Sequence, residues 1–158
     1  TGRSVLGGGW KEKLRRGSYE AYLAKLIQKY HLEHAVQFLG DLSARDMKAA
    51  FPKANVFVLP STIENSPNSL GEAMLLGVPC VAADVGGVTT LMTHNTEGYV
   101  YQSTAPYMLA YYVKRVFEMG KDAEKLGLAA QAHARKTHDS EHNLNTLVAI
   151  YKTVGGKE

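Results

Sequence analysis

The sequence predicts an α/β domain: a mostly parallel sheet layered with helices. Three observations carry that expectation. Short apolar runs alternate with segments of helical periodicity along the whole chain, the signature of strands joined by helical crossovers. The run Val56-Phe57-Val58-Leu59 is apolar at every position, as in a parallel strand covered on both faces. At 158 residues, 45% hydrophobic and 21% charged, the chain is long enough to bury a core and too apolar to stay disordered.

Residues 1–17 hold Gly7, Gly8 and Gly9, lack periodicity and read as a loop. Over residues 18–30 the positions Tyr22, Leu23, Leu26, Ile27 and Tyr30 recur at helical spacing, with Ser18 as the expected N-cap. Residues 36–39 form a short apolar run closed by Gly40 and Asp41, which predicts a strand. A helix over 43–51 is capped by Ser43 and stopped at Pro52. Strand 56–59 ends at Pro60. Helix 67–76 follows, with Gly77 past its end, then strand 80–83. Gly86 and Gly87 break the chain. Residues 98–101 give one more strand, and helices over 106–119, 122–137 and 141–154 complete the pattern. No internal repeat or linker divides residues 1–158, which are read as one partial domain ending in helix 141–154.

The totals exclude several functions. A net charge of +3 is too small to argue for nucleic acid, and no aromatic residues interleave the basic cluster Lys11, Lys13, Arg15 and Arg16. One cysteine, Cys80, precludes an internal disulfide and a cysteine-built zinc site. It opens a buried strand and reads as core. No apolar run is long enough to span a bilayer. His138 and His142 lie four apart but lack the carboxylate of a zinc-helix motif, so they read as solvated. Tyr107, Tyr111 and Tyr112 are expected to pack on the core or on another domain.

Ligands of open parallel sheets bind beyond the carboxyl ends of the strands, which directs attention to residues 60–74. Ser66 suits an N-cap and Pro67 the first helical position. The amides of Asn68, Ser69 and Leu70 would then be free to face an anion, aided by the helix dipole. Glu64 precedes this helix start, and Glu72 lies about 7 Å along the axis inside it. A carboxylate beside an anion site needs a reason, and vicinal hydroxyls supply one, because a charged acceptor binds a diol strongly. A diol on each side of a pyrophosphate describes a nucleotide-diphosphate sugar. Each acid alone has an ordinary reading, Glu64 as a solvated loop acid and Glu72 as a dipole-favoured helix residue. The reading of the pair requires the two acids to face an open cleft between them, and it ends if they are turned apart or buried in ion pairs.

The stretch V-F-V-L-P-S-T-I-E-N-S-P-N-S-L-G-E-A-M-L-L-G-V-P-C-V-A-A-D-V-G-G resembles the signature of glycosyltransferase family 4 (group 1). F-L-G-D-L at 38–42 and E-G-Y-V-Y at 97–101 extend the resemblance over almost the whole chain. It implies a Rossmann-like domain, the C-terminal half of a GT-B glycosyltransferase lacking its first strands, and retaining transfer of a hexose from a nucleotide-diphosphate sugar to an acceptor hydroxyl. It implies that Glu64, the catalytic candidate, contacts the transferred sugar and Glu72 the ribose. Asn65, Ser66, Asn68, Ser69 and Leu70 would line sugar and phosphates. No cofactor beyond the donor and no metal are implied, and the chain has no Asp-x-Asp pair. Pro67 and Thr90 depart from the family pattern, which often has Gly and an acid there.

Gly2 and Arg3 sit at the wrong spacing from Lys11 to be the family's phosphate clamp. The first strand, first helix and an N-terminal acceptor domain are therefore expected upstream, and the chain alone is expected not to transfer sugar. The implied partners are a nucleotide sugar and a carbohydrate or lipid-linked acceptor, in a cytoplasmic enzyme of surface polysaccharide synthesis with peripheral association at the inner membrane face. A non-catalytic sugar-nucleotide-binding module and a GT-B-type epimerase are the alternatives.

Overall fold

A computed structural model of the chain describes residues 18–155. Gly2, Arg3, Gly7, Gly8, Gly9 and the basic cluster from Lys11 to Arg16 lie outside the described residues. The chain divides into two units, Thr1–Met47 and Lys48–Glu158.

In the first unit, helix α1 spans Ser18–Lys29. Ala24 and Ile27 are buried, while Tyr22 and Tyr30 are exposed, so the apolar stripe is narrower than the five positions expected. Their phenol hydroxyls tolerate water, which a leucine or isoleucine side chain does not. The strand expected over 36–39 does not form. Its apolar residues alternate between half-buried and exposed, but no strand among the described residues hydrogen-bonds to it, and extended chain becomes a strand only through a ladder partner. Helix α2 spans Ala44–Ala50. It opens with a reciprocal cap: Asp46 N–H donates to Ser43 Oγ at 3.2 Å, while Ser43 N–H and Oγ–H donate to Asp46 Oδ2 at 3.3 and 2.6 Å. Pro52 does not stop the chain from coiling. A 3-10 turn at Phe51–Lys53 accommodates it at its start, where a proline costs no hydrogen bond.

The second unit holds a parallel sheet of β1 (Phe57–Leu59), β2 (Cys80–Ala83) and β3 (Gly98–Tyr101) in that order. Between them run α3 (Asn68–Leu75) and the short α4 (Val88–Leu91), which the sequence did not disclose. Helices α5 (Pro106–Met119), α6 (Ala123–Thr137) and α7 (Ser140–Gly155) follow. Central strand β2 is buried at all four positions, and its alternation sorts the core into two faces. Cys80 and Ala82 join Leu59, Leu70, Met74 and Ala130 on the α3 and α6 side. Val81 and Ala83 join Tyr99, Tyr101, Val116 and Leu126 on the α5 side. β1, expected to be buried on both faces, is only half-buried at Phe57 and Val58. It lies at an edge of the described sheet, with β2 as its one strand neighbour.

The end of α3 shows how sequence sets geometry here. Gly77 adopts φ +72°, its N–H donates to Met74 O at 2.9 Å, and Val78 N–H reaches back to Ala73 O at 3.1 Å. This pair of bonds closes a helix through a left-handed glycine and turns the chain directly into β2. At the other end of the chain, Asp139 caps α7, its Oδ1 accepting from Glu141 and His142 N–H at 3.0 and 2.9 Å. No helix among the described residues is long and apolar enough to cross a membrane.

Candidate functional site

Residues 60–67 leave the carboxyl end of β1 as an irregular loop and enter α3. Pro67 itself is the N-cap of α3, at φ −72° and ψ 103°, and no side chain caps the helix. The assignment of Ser66 as N-cap and Pro67 as first helical residue is therefore one residue early. A proline is held in φ by its ring and needs no N–H at either position, so sequence alone could not separate them. The shift also changes the amide count. Leu70 N–H donates to Pro67 O at 3.1 Å and the Leu70 side chain is fully buried. The amides of Asn68 and Ser69 donate to no protein group among the described residues, so the free helix-start amides are these two.

Glu64 is half-buried and accepts one hydrogen bond, from Ser61 Oγ–H at 2.7 Å to Oε1. Glu72 is exposed on the second turn of α3. Neither acid takes part in an ion pair among the described residues. Asn65, Ser66 and Asn68 are exposed, and Ser69 is half-buried. Ser61 was missed as a candidate, although its place three residues before Glu64 is the spacing at which a serine reaches back to a following acid.

What fixes the loop is the turn after β2. Gly86, at φ +52°, approaches so closely that a Cβ built on it would lie 1.7 Å from Glu64 O, and one on Gly87 would lie 2.5 Å from Asn65 O. Gly87 N–H donates to Asn65 O at 2.7 Å. Two successive residues without side chains let one backbone lie against another. The sequence showed the glycine pair as a chain break. Its contact with Glu64 and Asn65 became visible only once β1 and β2 were aligned side by side.

A cavity of about 480 Å³ opens at the carboxyl ends of β2 and β3. Asp84, Thr89, Gln102 and Tyr107 are among its lining residues, and none of the residues from Glu64 to Glu72 is. Tyr112 also lines it, held by stacking on Tyr99 at 4.7 Å between ring centroids. Tyr107 and Tyr111 are exposed rather than packed on the core. Away from both places, Glu97 accepts from His133 Nδ1–H at 2.9 Å and from Thr93 N–H at 2.7 Å. Burial raises the Glu97 carboxyl pKa, but these bonds and the His133 charge outweigh it, leaving it below the ordinary value. His138 closes α6, with Nδ1–H donating to Ala134 O at 3.1 Å and Nε2 beside Gly71 of α3. The residue is exposed, as is His142, in keeping with their reading as solvated, although one side of the His138 ring rests on protein.

Residues 4–133 match the family described as glycosyl transferases group 1. The chain belongs to that family. It is 30% identical over 132 residues to the amylovoran biosynthesis glycosyltransferase AmsK of Erwinia amylovora, covering 80% of this chain and 32% of that one. An uncharacterized glycosyltransferase of Methanocaldococcus jannaschii is 32% identical over 136 residues, covering 86% of this chain and 35% of its own length. The structure of Anabaena HepE in complex with UDP-glucose superposes with a TM-score of 0.73 at 26% identity, covering 83% of this chain and 37% of that chain. The fold is that of the C-terminal half of GT-B glycosyltransferases. The chain spans about a third of the length of the curated relatives it matches.

Proposed function

We propose that this chain is the donor-binding part of a retaining glycosyltransferase that moves a hexose from a nucleotide-diphosphate sugar to an acceptor hydroxyl. The observation that carries the reading is the pair of carboxylates, Glu64 before and Glu72 within a helix start, with no ion pair to either and two free amides among the described residues. Asn68 and Ser69 N–H groups and the dipole of α3 receive the diphosphate. Glu72 accepts the ribose hydroxyls, and Glu64, held by Ser61, accepts hydroxyls of the transferred sugar. Asn65 and Ser66 line the sugar, and Leu70 keeps the helix tip in place through its packing.

The bond from the anomeric carbon to the diphosphate oxygen breaks with its electron pair leaving on the diphosphate. The acceptor oxygen forms the new bond on the same face, and its proton passes to the departing diphosphate. Fixed positive charge, which the resemblance places upstream, and amides at the leaving oxygen stabilise the charge that develops there, in place of a metal or further cofactor. HepE in its complex binds UDP-glucose, which supports a nucleotide sugar as ligand. The name of AmsK supports a place in the synthesis of a surface polysaccharide, on a carbohydrate or lipid-linked acceptor. Such an enzyme would work in the cytoplasm, against the inner membrane face.

Titrating UDP and GDP into the chain by calorimetry tests the donor role. Glu72→Ala should weaken nucleotide binding by about 1–3 kcal/mol, the loss for one charged hydrogen-bond partner. Unchanged affinity removes Glu72 from the ribose. Glu64→Ala should leave the nucleotide affinity alone and depress transfer in the longer protein that contains this chain. Loss of nucleotide binding with intact turnover would reverse the two roles. The chain by itself should not turn over a sugar nucleotide, and clear turnover would refute that expectation.

A further inference from the structure

The donor reading leaves the 480 Å³ cavity at the ends of β2 and β3 without a task. It is an open groove rather than an enclosed pocket, with a volume in the range of small-molecule sites. We propose that it is a second carbohydrate subsite, which takes a pyranose ring of the acceptor beyond the part that the expected N-terminal domain would hold. This placement as an acceptor subsite rests on the donor reading above, but the sugar-binding claim does not.

The chemistry of the wall selects the ligand. Asp84, Thr89, His94, Gln102, Tyr107 and Tyr112 are among its lining residues, and neither lysine nor arginine is. A carboxylate with no cation beside it repels phosphates and carboxylates and attracts hydroxyl groups. The Asp84, Thr89 and Gln102 side chains are exposed to solvent and make no hydrogen bond to protein among the described residues, so their bonding capacity is open to a ligand in exchange for water. Val100 N–H donates to His94 Nδ1 at 3.0 Å, so the ring proton of neutral His94 resides on Nε2 and is available as a donor. The wall therefore mixes acceptors, donors and groups that do both. That matches sugar hydroxyls, which also do both.

The aromatic part is built in advance. Tyr112 stacks on Tyr99 at an interplanar angle of 11° and meets His94 and Tyr111 edge-on, at 5.5 and 5.3 Å between centroids. Arg115 Nε–H in turn donates to Tyr99 Oη at 3.0 Å. A platform locked this way loses little side-chain freedom when a ring settles on it. Tyr107 is 72% exposed at the start of α5, which leaves its ring open to a ligand in the groove.

Position supplies the link to transfer. Gly86 and Gly87 of the turn after β2 touch the backbone of Glu64 and Asn65. Asp84 and Thr89, which flank that same turn, line the cavity. One turn thus borders both the loop assigned to the transferred sugar and the cavity assigned to the acceptor.

The test is a titration of the isotope-labelled chain, followed by amide NMR shifts. The probes are methyl α-D-glucopyranoside, methyl α-D-galactopyranoside and methyl α-D-mannopyranoside, with UDP and guanosine in separate samples. At least one glycoside should shift the amides of Asp84, Thr89 and Gln102. Asp84→Asn and Tyr107→Ala should each weaken that binding about tenfold, the scale of one charged hydrogen bond or one aromatic contact. UDP should shift Asn68 and Ser69 equally in all three proteins, which also shows that the variants are folded. Should UDP fail while a glycoside still shifts the cavity, the donor reading falls and the sugar site stands. Silence from all three glycosides at the cavity overturns the subsite, as do glycoside shifts confined to Glu64, Asn68 and Ser69. Guanosine or UDP shifting the cavity residues would make it a base site instead and overturn it too.

Discussion

Replacing Gly86 by alanine should uncouple the Glu64 loop from the sheet, and the structure sets the size of the effect. The residue sits at φ +52°, where an L side chain costs about 1–2 kcal/mol. The new Cβ would stand 1.7 Å from Glu64 O and 2.6 Å from Glu64 C. Both are backbone atoms, so no rotamer change relieves the clash. Restoring even 3.0 Å requires the loop or the turn to move by about 1.3 Å, and overpacking of this kind costs about 1–3 kcal/mol. The expected loss of stability is about 2–5 kcal/mol in total. Gly77→Ala is the control. Gly77 has φ +72°, but its Cβ would meet the flexible Gln131 side chain at 3.4 Å and Gly127 O at 3.9 Å, both ordinary contacts, so backbone strain of about 1–2 kcal/mol is the main cost. Urea unfolding of the two variants reads the difference, and the amide shifts of Glu64 and Asn65 read the displacement. Equal midpoints for the two variants, with the Glu64 and Asn65 shifts unmoved, would refute the claim that this turn holds the loop.

Glu97→Gln should cost about 1–2 kcal/mol at neutral pH through the weakened bonds from His133 and Thr93. The folded carboxyl lies below its ordinary value of 4.5, so its stabilisation is present above that value and is lost as pH falls through the lowered folded pKa. Urea midpoints measured between neutral pH and strong acid should therefore converge for parent and variant at the acid end, and parallel curves would contradict the assignment. Burial pushes the Cys80 thiol up to about 12, and its Sγ–H donates to Val78 O at 3.1 Å. The native chain should resist an aromatic disulfide reagent at pH 8 and react on unfolding. Fast labelling of native protein would place the thiol nearer the surface than β2 allows.

The sequence was most legible where one physical signal had one reading. Uniform apolarity at Cys80–Ala83 and at Gly98–Tyr101 located β2 and β3, and a proline start with a glycine stop bounded α5 at Pro106–Met119. It was least legible where the outcome depended on a distant partner. Residues 36–39 have the composition of a strand but no ladder beside them among the described residues. α4 is four residues long, too short for helical periodicity to register. Pro67 suits two adjacent helix positions equally, and the difference decides whether Leu70 keeps its amide. The candidate acids were readable from spacing. Ser61 beneath Glu64, the glycine turn behind it and the cavity beyond that turn were not, because each depends on how parallel strands set their carboxyl ends side by side.

The arrangement of charge bears on the donor reading more directly than the fold does. A half-buried carboxylate loses part of its hydration and ordinarily recovers it from a cation or from several N–H donors. Glu97 follows that rule, with His133 and Thr93 N–H as donors. Glu64 does not: one serine hydroxyl is its only hydrogen-bond partner among the described residues. The backbone behind it is nonetheless held through close approach to two glycines, a constraint with no benefit to a side chain that merely points into water. A rigid support under an under-satisfied acid favours a ligand that completes the acceptor's bonds. Hydroxyl groups can do so without bringing a counter-charge next to the Asn68 and Ser69 amides, which the donor reading assigns to an anion.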